Sequence, residues 1–131
     1  MNKIRDFFSS RAHSFQHALR GWWYVLRTQR NAWIHAVITT LVILTAFWLG
    51  LPLRDWAVLL LTIALVWTAE FINTALEAVV NLASPNLHPL AKLGKDVGAA
   101  AVLIAALTSI LVGLLILGPQ LWEKLKLLFG L

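Results

Sequence analysis

Two stretches without a single Asp, Glu, Lys or Arg limit what this chain can fold into. Residues 31–53 form one run of 23 and residues 97–122 another of 26. Each exceeds the roughly 20 helical residues needed to cross a hydrocarbon core about 30 Å thick. Backbone polar groups inside a bilayer must be satisfied within the segment itself, which for an isolated run means an α-helix. The rest of the sequence agrees, being 60% hydrophobic and 13% charged over 131 residues, too apolar for a water-soluble domain of this size. The reading is an all-α integral membrane protein with one domain, residues 1–131. Cysteine is absent, which excludes disulfides and thiol chemistry. The net charge of +5 suits anionic headgroups and anionic ligands such as nucleotide phosphates. Nucleic acid is not expected as a partner, because no soluble basic domain exists to carry it.

Residues 1–30 spread their basic side chains along the segment and have no unbroken apolar core, so they are not a signal peptide. Phe8, Phe15, Leu19, Trp22 and Leu26 recur at helical spacing, accompanied by Arg11, Arg20, Arg27 and Arg30. This pattern predicts an amphipathic helix on the membrane surface; a soluble helix packed on a partner is the alternative. A first span follows at 32–49 and stops at GLPLRD, where Gly50 and Pro52 signal a turn. A second helix covers 56–82 and is broken by SPNLHP. The third span covers 97–117, starting near Asp96 and ending before Gly118-Pro119. Its Ala101, Ala105, Ser109 and Gly113 recur every fourth residue, either as a stripe for close helix packing or as a by-product of an alanine-rich span.

Lys3, Arg5, Arg11, Arg20, Arg27 and Arg30 precede the first span, and Lys92 and Lys95 lie in the second connection. Only Arg54, Lys124 and Lys126 fall on the other side. This bias puts the N-terminus and the HPLAKLGKD connection in the cytoplasm. If the second helix enters from the outer face near Trp56, about 20 residues bring it to the inner boundary near Ala75. Glu70 then remains inside the hydrocarbon and Glu77 reaches the cytoplasmic interface. An ionisable group at such depth costs about 3 kcal/mol or more unless paired or hydrated, which marks Glu70 as a functional candidate.

Glu70, Asn73, Glu77 and Asn81 fall on one narrow stripe of this helix. The two carboxylates are about 10 Å apart along the axis, too far to clasp one metal ion, so they should act on different atoms. Glu77 could hold Mg²⁺, which takes one or two carboxylates together with substrate phosphates. Glu70, withdrawn from water, could take a proton from a group reaching in from the lipid. Lys95 and Asp96 open the third helix at the same depth, where Lys95 can meet a phosphate. No G-x-x-x-x-G-K-[ST] loop is present, so a nucleotide site would be unconventional.

AEFINTALEAVVN followed by SPNLHPLAKLGKDVGAAAVL resembles the prokaryotic diacylglycerol kinase family, which includes undecaprenol kinases. The family patterns are E-x-x-N-[ST]-A-[IL]-E-x-V-V-D and H-x-x-[AS]-x-x-A-K-D-x-[AG]-[AS]-A-A-V. SFQHALRGWWYVLRTQRNAWIH likewise resembles the family's S-F-x-x-A-x-x-G and E-R-N-x-x-x-H elements, so the likeness runs from Ser14 to Pro119. It implies a homotrimer in the bacterial inner membrane, each chain with a surface helix and three membrane helices, and active sites shared between neighbours. It implies Mg²⁺-dependent transfer of the ATP γ-phosphate to a lipid alcohol, diacylglycerol or undecaprenol. Carried over by position, Glu70 is the general base, Asn73 its polar neighbour and Glu77 a metal ligand. Lys95, Asp96 and the loop of Asn86, Leu87 and His88 contact nucleotide, and His17 occupies a nucleotide-contacting position.

Two positions depart from the pattern. Gln29 stands where the family has a second metal-binding glutamate, and Asn81 where it has aspartate. Both keep an oxygen of similar reach and lose a negative charge, leaving less attraction for a cation beside Glu77. They motivate a second reading, a catalytically impaired member that binds lipid or nucleotide. Composition alone allows a third, a small proton- or ion-conducting oligomer built on Glu70. Asn73 and His88 have structural alternatives, as an interhelical hydrogen-bonder and a loop cap. His35 matches the family, and a lone histidine near a helix start reads as a structural hydrogen-bonder.

Overall fold

The computed structural model describes residues 2–84, 86 and 88–130, with side chains from Phe7 onward. Among these residues the chain forms four helices: α1 (Asn2–Thr28), α2 (Arg30–Leu49), α3 (Leu53–Ala83) and α4 (Pro89–Phe129). The last three are long and apolar enough to cross a membrane. The expected Leu87 contact lies outside the described residues.

A single residue separates α1 from α2. Gln29 adopts an extended backbone, φ −103° and ψ 116°, while its N–H still closes the last turn of α1 on the Val25 carbonyl at 2.9 Å. The α2–α3 turn needs a glycine: Gly50 has φ 71°, a left-handed conformation that other residues adopt only with strain. Its N–H and that of Leu51 both bond to the Ala46 carbonyl, and Leu51 is buried against Ala46 and Leu59. Pro52 then pre-sets extended backbone, and its carbonyl accepts from Asp55 and Trp56, so α3 begins at Leu53 rather than at 56.

The fourth helix corrects the expectation of an element confined to 97–117. It starts at Pro89, which suits a first helical turn because its missing N–H has no role there. His88 caps it, Nδ1 accepting from the Leu90 N–H at 3.2 Å. It also runs through Gly118-Pro119. One backbone hydrogen bond is lost at Pro119, but the next residue, Gln120, donates from Nε2 to Asp55 Oδ2 at 2.9 Å and ties that segment to α3. The 41 residues make a helix about 62 Å long, twice the thickness of a hydrocarbon core.

The helix α3 is the centre of the bundle: 33% of its apolar window is buried, against 11% for α2 and for α4. It packs most extensively on α4, antiparallel, with Ser109 Oγ donating to the Thr62 carbonyl at 3.1 Å midway along the pair. The remaining apolar side chains of α2 and α4, such as Leu44, Leu111 and Leu115, face outward, as lipid contact requires. One core cluster joins Val25, Ala32 and Trp67, and a second joins Ala46, Leu51 and Leu59 at the other end. Trp22 of α1 stacks on Trp67 and Phe71 of α3, at 4.9 and 4.7 Å between ring centroids. The apolar face read as a lipid anchor is therefore divided: Phe8, Phe15 and Leu19 are exposed, Trp22 packs on α3 while remaining half-exposed, and Val25 and Leu26 dock on the bundle.

The stripe of small residues is shifted from its expected register. Ala105 is buried and Ser109 half-buried, but Ala101 is exposed, and the closest approach is at Gly98. A methyl group there would collide with Asn73 Oδ1 and press on Leu76. Gly98→Ala should therefore destabilise the protein by about 1–3 kcal/mol despite its better helix propensity. Gly113→Ala, where a methyl group meets nothing within 4 Å, should be neutral or stabilising. Thermal unfolding of both variants in lipid micelles checks the contrast.

Candidate functional site

The polar stripe of α3 turns inward, toward α2 and α4. Glu70 is 1% exposed, and Asn73 and Thr74 are buried beside it. Helical spacing fixes the order of these side chains, and the docking of α2 fixes what they meet. His35, a turn and a half into α2, lies with Nε2 3.9 Å from Glu70 Oε2. Its ring meets the edge of Trp67, whose indole N–H donates to Thr39 Oγ1 at 3.3 Å. Thr74 Oγ1 bonds back to the Glu70 carbonyl and leaves the carboxylate alone. Among the described residues, three buried polar atoms have no hydrogen-bond partner: His35 Nε2, Glu70 Oε2 and Asn73 Oδ1. Such atoms normally find partners, since each unsatisfied one costs on the order of 1–3 kcal/mol.

One turn further along, Glu77 is held by two carboxamides. Asn73 Nδ2 donates to Oε1 at 3.2 Å, and Gln29 Nε2 approaches Oε2 at 3.5 Å. The extended backbone at Gln29 lets its side chain reach α3. A chamber of about 240 Å³ lies between α2, α3 and α4, walled by Gln29, His35, Asn73 and Glu77 on one side and by Ala99 and Val102 of α4 on the other. Glu70 is not on its wall.

The remaining candidates are placed around the end of α3 and on α1. Lys95 Nζ donates to Asn81 Oδ1 at 2.6 Å, and among the described residues it has no carboxylate ion-pair partner. Asp96 and Asn86 are exposed, and the Asn86 carbonyl accepts from Ser84 Oγ. His88 is the cap of α4, so its Nδ1 is committed. His17 is exposed on α1, and no hydrogen bond or ion pair joins it to either carboxylate among the described residues. The structure thus brings Gln29, Asn73 and Glu77 together, pairs Lys95 with Asn81, and leaves His17 apart.

Two contributors were not legible as such. His35 reads from sequence as structural, yet its Nε2 satisfies no bond. Gly98 continues the spacing of Val102 and Ala105 back by a turn, a signal available in the sequence but hidden by the more regular series at 101, 105, 109 and 113.

Among the described residues no three His, Asp or Glu side chains converge. A divalent cation would therefore rest on one or two protein oxygens and on substrate phosphates. The Glu77 carboxylate with the Gln29 carboxamide fits that demand: both are hard oxygen donors, and the long Gln29 contact can be exchanged for a ligating carbonyl by turning the amide.

A family model described as prokaryotic diacylglycerol kinase matches residues 16–117. Undecaprenol kinase of Bacillus subtilis is 39% identical over 120 residues, which cover 92% of this chain and 94% of that protein. A diacylglycerol kinase of Synechocystis is 45% identical over 109 residues, 82% of this chain and 62% of that one. The Escherichia coli diacylglycerol kinase is 33% identical over 95 residues, 67% of this chain and 78% of its own.

The unsatisfied carboxylate has an expected signature in stability. Glu70→Leu, of similar volume, should stabilise the protein by on the order of 1–3 kcal/mol, since it removes a buried acceptor without a donor. The shift in unfolding midpoint in lipid micelles measures it.

Proposed function

This chain belongs to the prokaryotic diacylglycerol kinase family and is a lipid kinase; we propose that it carries the γ-phosphate of ATP to a membrane lipid alcohol at the cytoplasmic interface, using Glu70 as base. The observation that supports this reading is the chamber between α2, α3 and α4. It is set among apolar helices, yet its wall includes the carboxylate of Glu77, the carboxamides of Gln29 and Asn73, and the imidazole of His35. A lipid hydroxyl, being both donor and acceptor, suits such a wall.

In this reading the phosphates of ATP enter at the end of α3, where Lys95 offers its charge, with Asn86, His88 and Asp96 nearby. Glu77 and Gln29 would hold Mg²⁺, which neutralises charge developing on the phosphate oxygens. The hydroxyl settles against Asn73, Glu70 takes its proton, and the oxygen bonds to the γ-phosphorus as ADP departs. Little covalent chemistry falls to the protein beyond this proton transfer, so positioning carries most of the acceleration. His17, exposed on α1 and unbonded to the carboxylates of its own chain among the described residues, reaches nucleotide bound by a neighbouring copy in a homotrimer with shared sites. The helix ends bearing Arg27, Arg30, Lys92 and Lys95 face the cytoplasm, and the enzyme resides in the bacterial inner membrane.

The acceptor is settled by assaying the purified protein in lipid with labelled ATP and either undecaprenol or diacylglycerol. Nearly end-to-end correspondence with the Bacillus subtilis undecaprenol kinase supports the polyprenol. Glu70→Gln should abolish transfer to either alcohol, by about 100-fold or more, while leaving nucleotide binding intact. Full turnover in this variant would remove Glu70 from the mechanism.

Gln29 motivates the rival reading, an impaired member that binds without turnover. A carboxamide oxygen ligates without adding charge, so the native enzyme should need more Mg²⁺ than one with a carboxylate there. Gln29→Glu should lower the Mg²⁺ concentration for half-maximal Mg·ATP binding by on the order of 10-fold, and Gln29→Ala should raise it. Calorimetric titrations that coincide for all three proteins would show that position 29 does not ligate. A native enzyme inactive at saturating Mg²⁺ and restored by Gln29→Glu would establish the impaired reading.

A further inference from the structure

Glu70 is buried beside the chamber where an acceptor would bind and does not line it. It is 1% exposed, it is not on the chamber wall, and its Oε2 has no donor. His35 adjoins both. The imidazole borders the chamber, and its Nε2 is sealed from solvent, unbonded, 3.9 Å from that same oxygen. We propose that His35 is the relay through which the proton of the acceptor hydroxyl reaches Glu70. This rests on the kinase reading above and adds a residue to it.

A purely structural histidine should satisfy something. His35 Nε2 satisfies nothing, and a leucine at this place would pack without an unpaired buried nitrogen. The ring is nevertheless held with care. Trp67 meets it edge-on at 68°, with centroids 6.4 Å apart, and is itself fixed by its bond to Thr39 and by the stack with Trp22 and Phe71. Among the described residues, Glu70 has no Lys or Arg ion-pair partner. The imidazole is the basic group beside it.

A neutral imidazole carries a proton on one nitrogen and a lone pair on the other. With Nε2–H turned to Glu70, Nδ1 is left for the hydroxyl. The hydroxyl proton passes to Nδ1 while the Nε2 proton passes to Glu70 Oε2, so the imidazole ends neutral in its other tautomer and Glu70 ends protonated. The freed oxygen bonds to the γ-phosphorus as the bond from phosphorus to the bridging oxygen breaks, and ADP leaves with that electron pair. The Nε2–Oε2 separation must close by about 1 Å, within the looseness that catalytic hydrogen bonds show before substrate binds.

The test compares His35→Ala, His35→Gln and Glu70→Gln in the full-length protein, in lipid micelles with Mg·ATP and whichever alcohol the native enzyme phosphorylates. His35→Ala should lower kcat by about 100-fold with KM values little changed, and added imidazole should restore activity in proportion to its concentration. Imidazole should not restore Glu70→Gln. His35→Gln keeps the volume and a donor toward Glu70 but cannot relay, so its kcat should fall likewise; this variant carries the test if His35→Ala fails to insert. Near-native kcat in either histidine variant overturns the relay, and so does a loss in His35→Ala that imidazole leaves untouched, which assigns the ring to packing. Activity in Glu70→Gln would instead sink the underlying reading of Glu70 as base.

Discussion

A carboxylate buried without a donor in the middle of an apolar helix is the constraint around which the molecule is arranged. Glu70 can be tolerated there only because the surrounding helices exclude lipid and supply polar neighbours. The packing meets both demands. Trp67, one turn before it, closes the side toward α1 and α2, and Gly98 brings α4 close enough to seal the other. His35, Asn73 and Thr74 are the polar groups left within that enclosure, and the first two keep an atom free. Free buried atoms are destabilising in a finished protein. In the proposed reading their persistence is the cost in folding stability of a place for chemistry.

The surface helix belongs to the same construction. Its Trp22 rests on Trp67 and Phe71, the residues that frame Glu70, and the chain then breaks at one residue, Gln29. That break directs the Gln29 carboxamide to Glu77. Docking of α1, the hinge and the Gln29–Glu77 pair are thus joined through about two turns of α3. A shift of α1 would be felt at both carboxylates.

The two departures from the family pattern have a common physical effect. At Glu77 and at Lys95, a charged side chain meets a carboxamide where the family has an acid. In the proposed kinase reading, the Lys95 charge would be available to an anion and a cation beside Glu77 would have one carboxylate fewer, so both changes would shift reliance onto the phosphates of the nucleotide.

The sequence by itself determined the membrane class, the number of apolar spans, the shared helix face of Glu70, Asn73, Glu77 and Asn81, and the family; that Glu70 and Asn73 turn inward while Asn81 stays exposed was decided by packing. Each feature the sequence determined depends on something local: the length of an uncharged run, the 3.6-residue period, a motif. It misjudged α4, because an uncharged run measures what the hydrocarbon requires and not where a helix ends; Pro89 fits a first turn, and the break at Pro119 is bridged by Gln120 and Asp55. It also left His35 as scaffolding and passed over Gly98. Periodicity states which residues share one helix face, but not the register and angle at which two faces meet. Those were decided by close packing of α2 and α4 on α3, which set His35 beside Glu70, Gly98 against Asn73, and Gln29 across from Glu77 over a sequence separation of 48 residues.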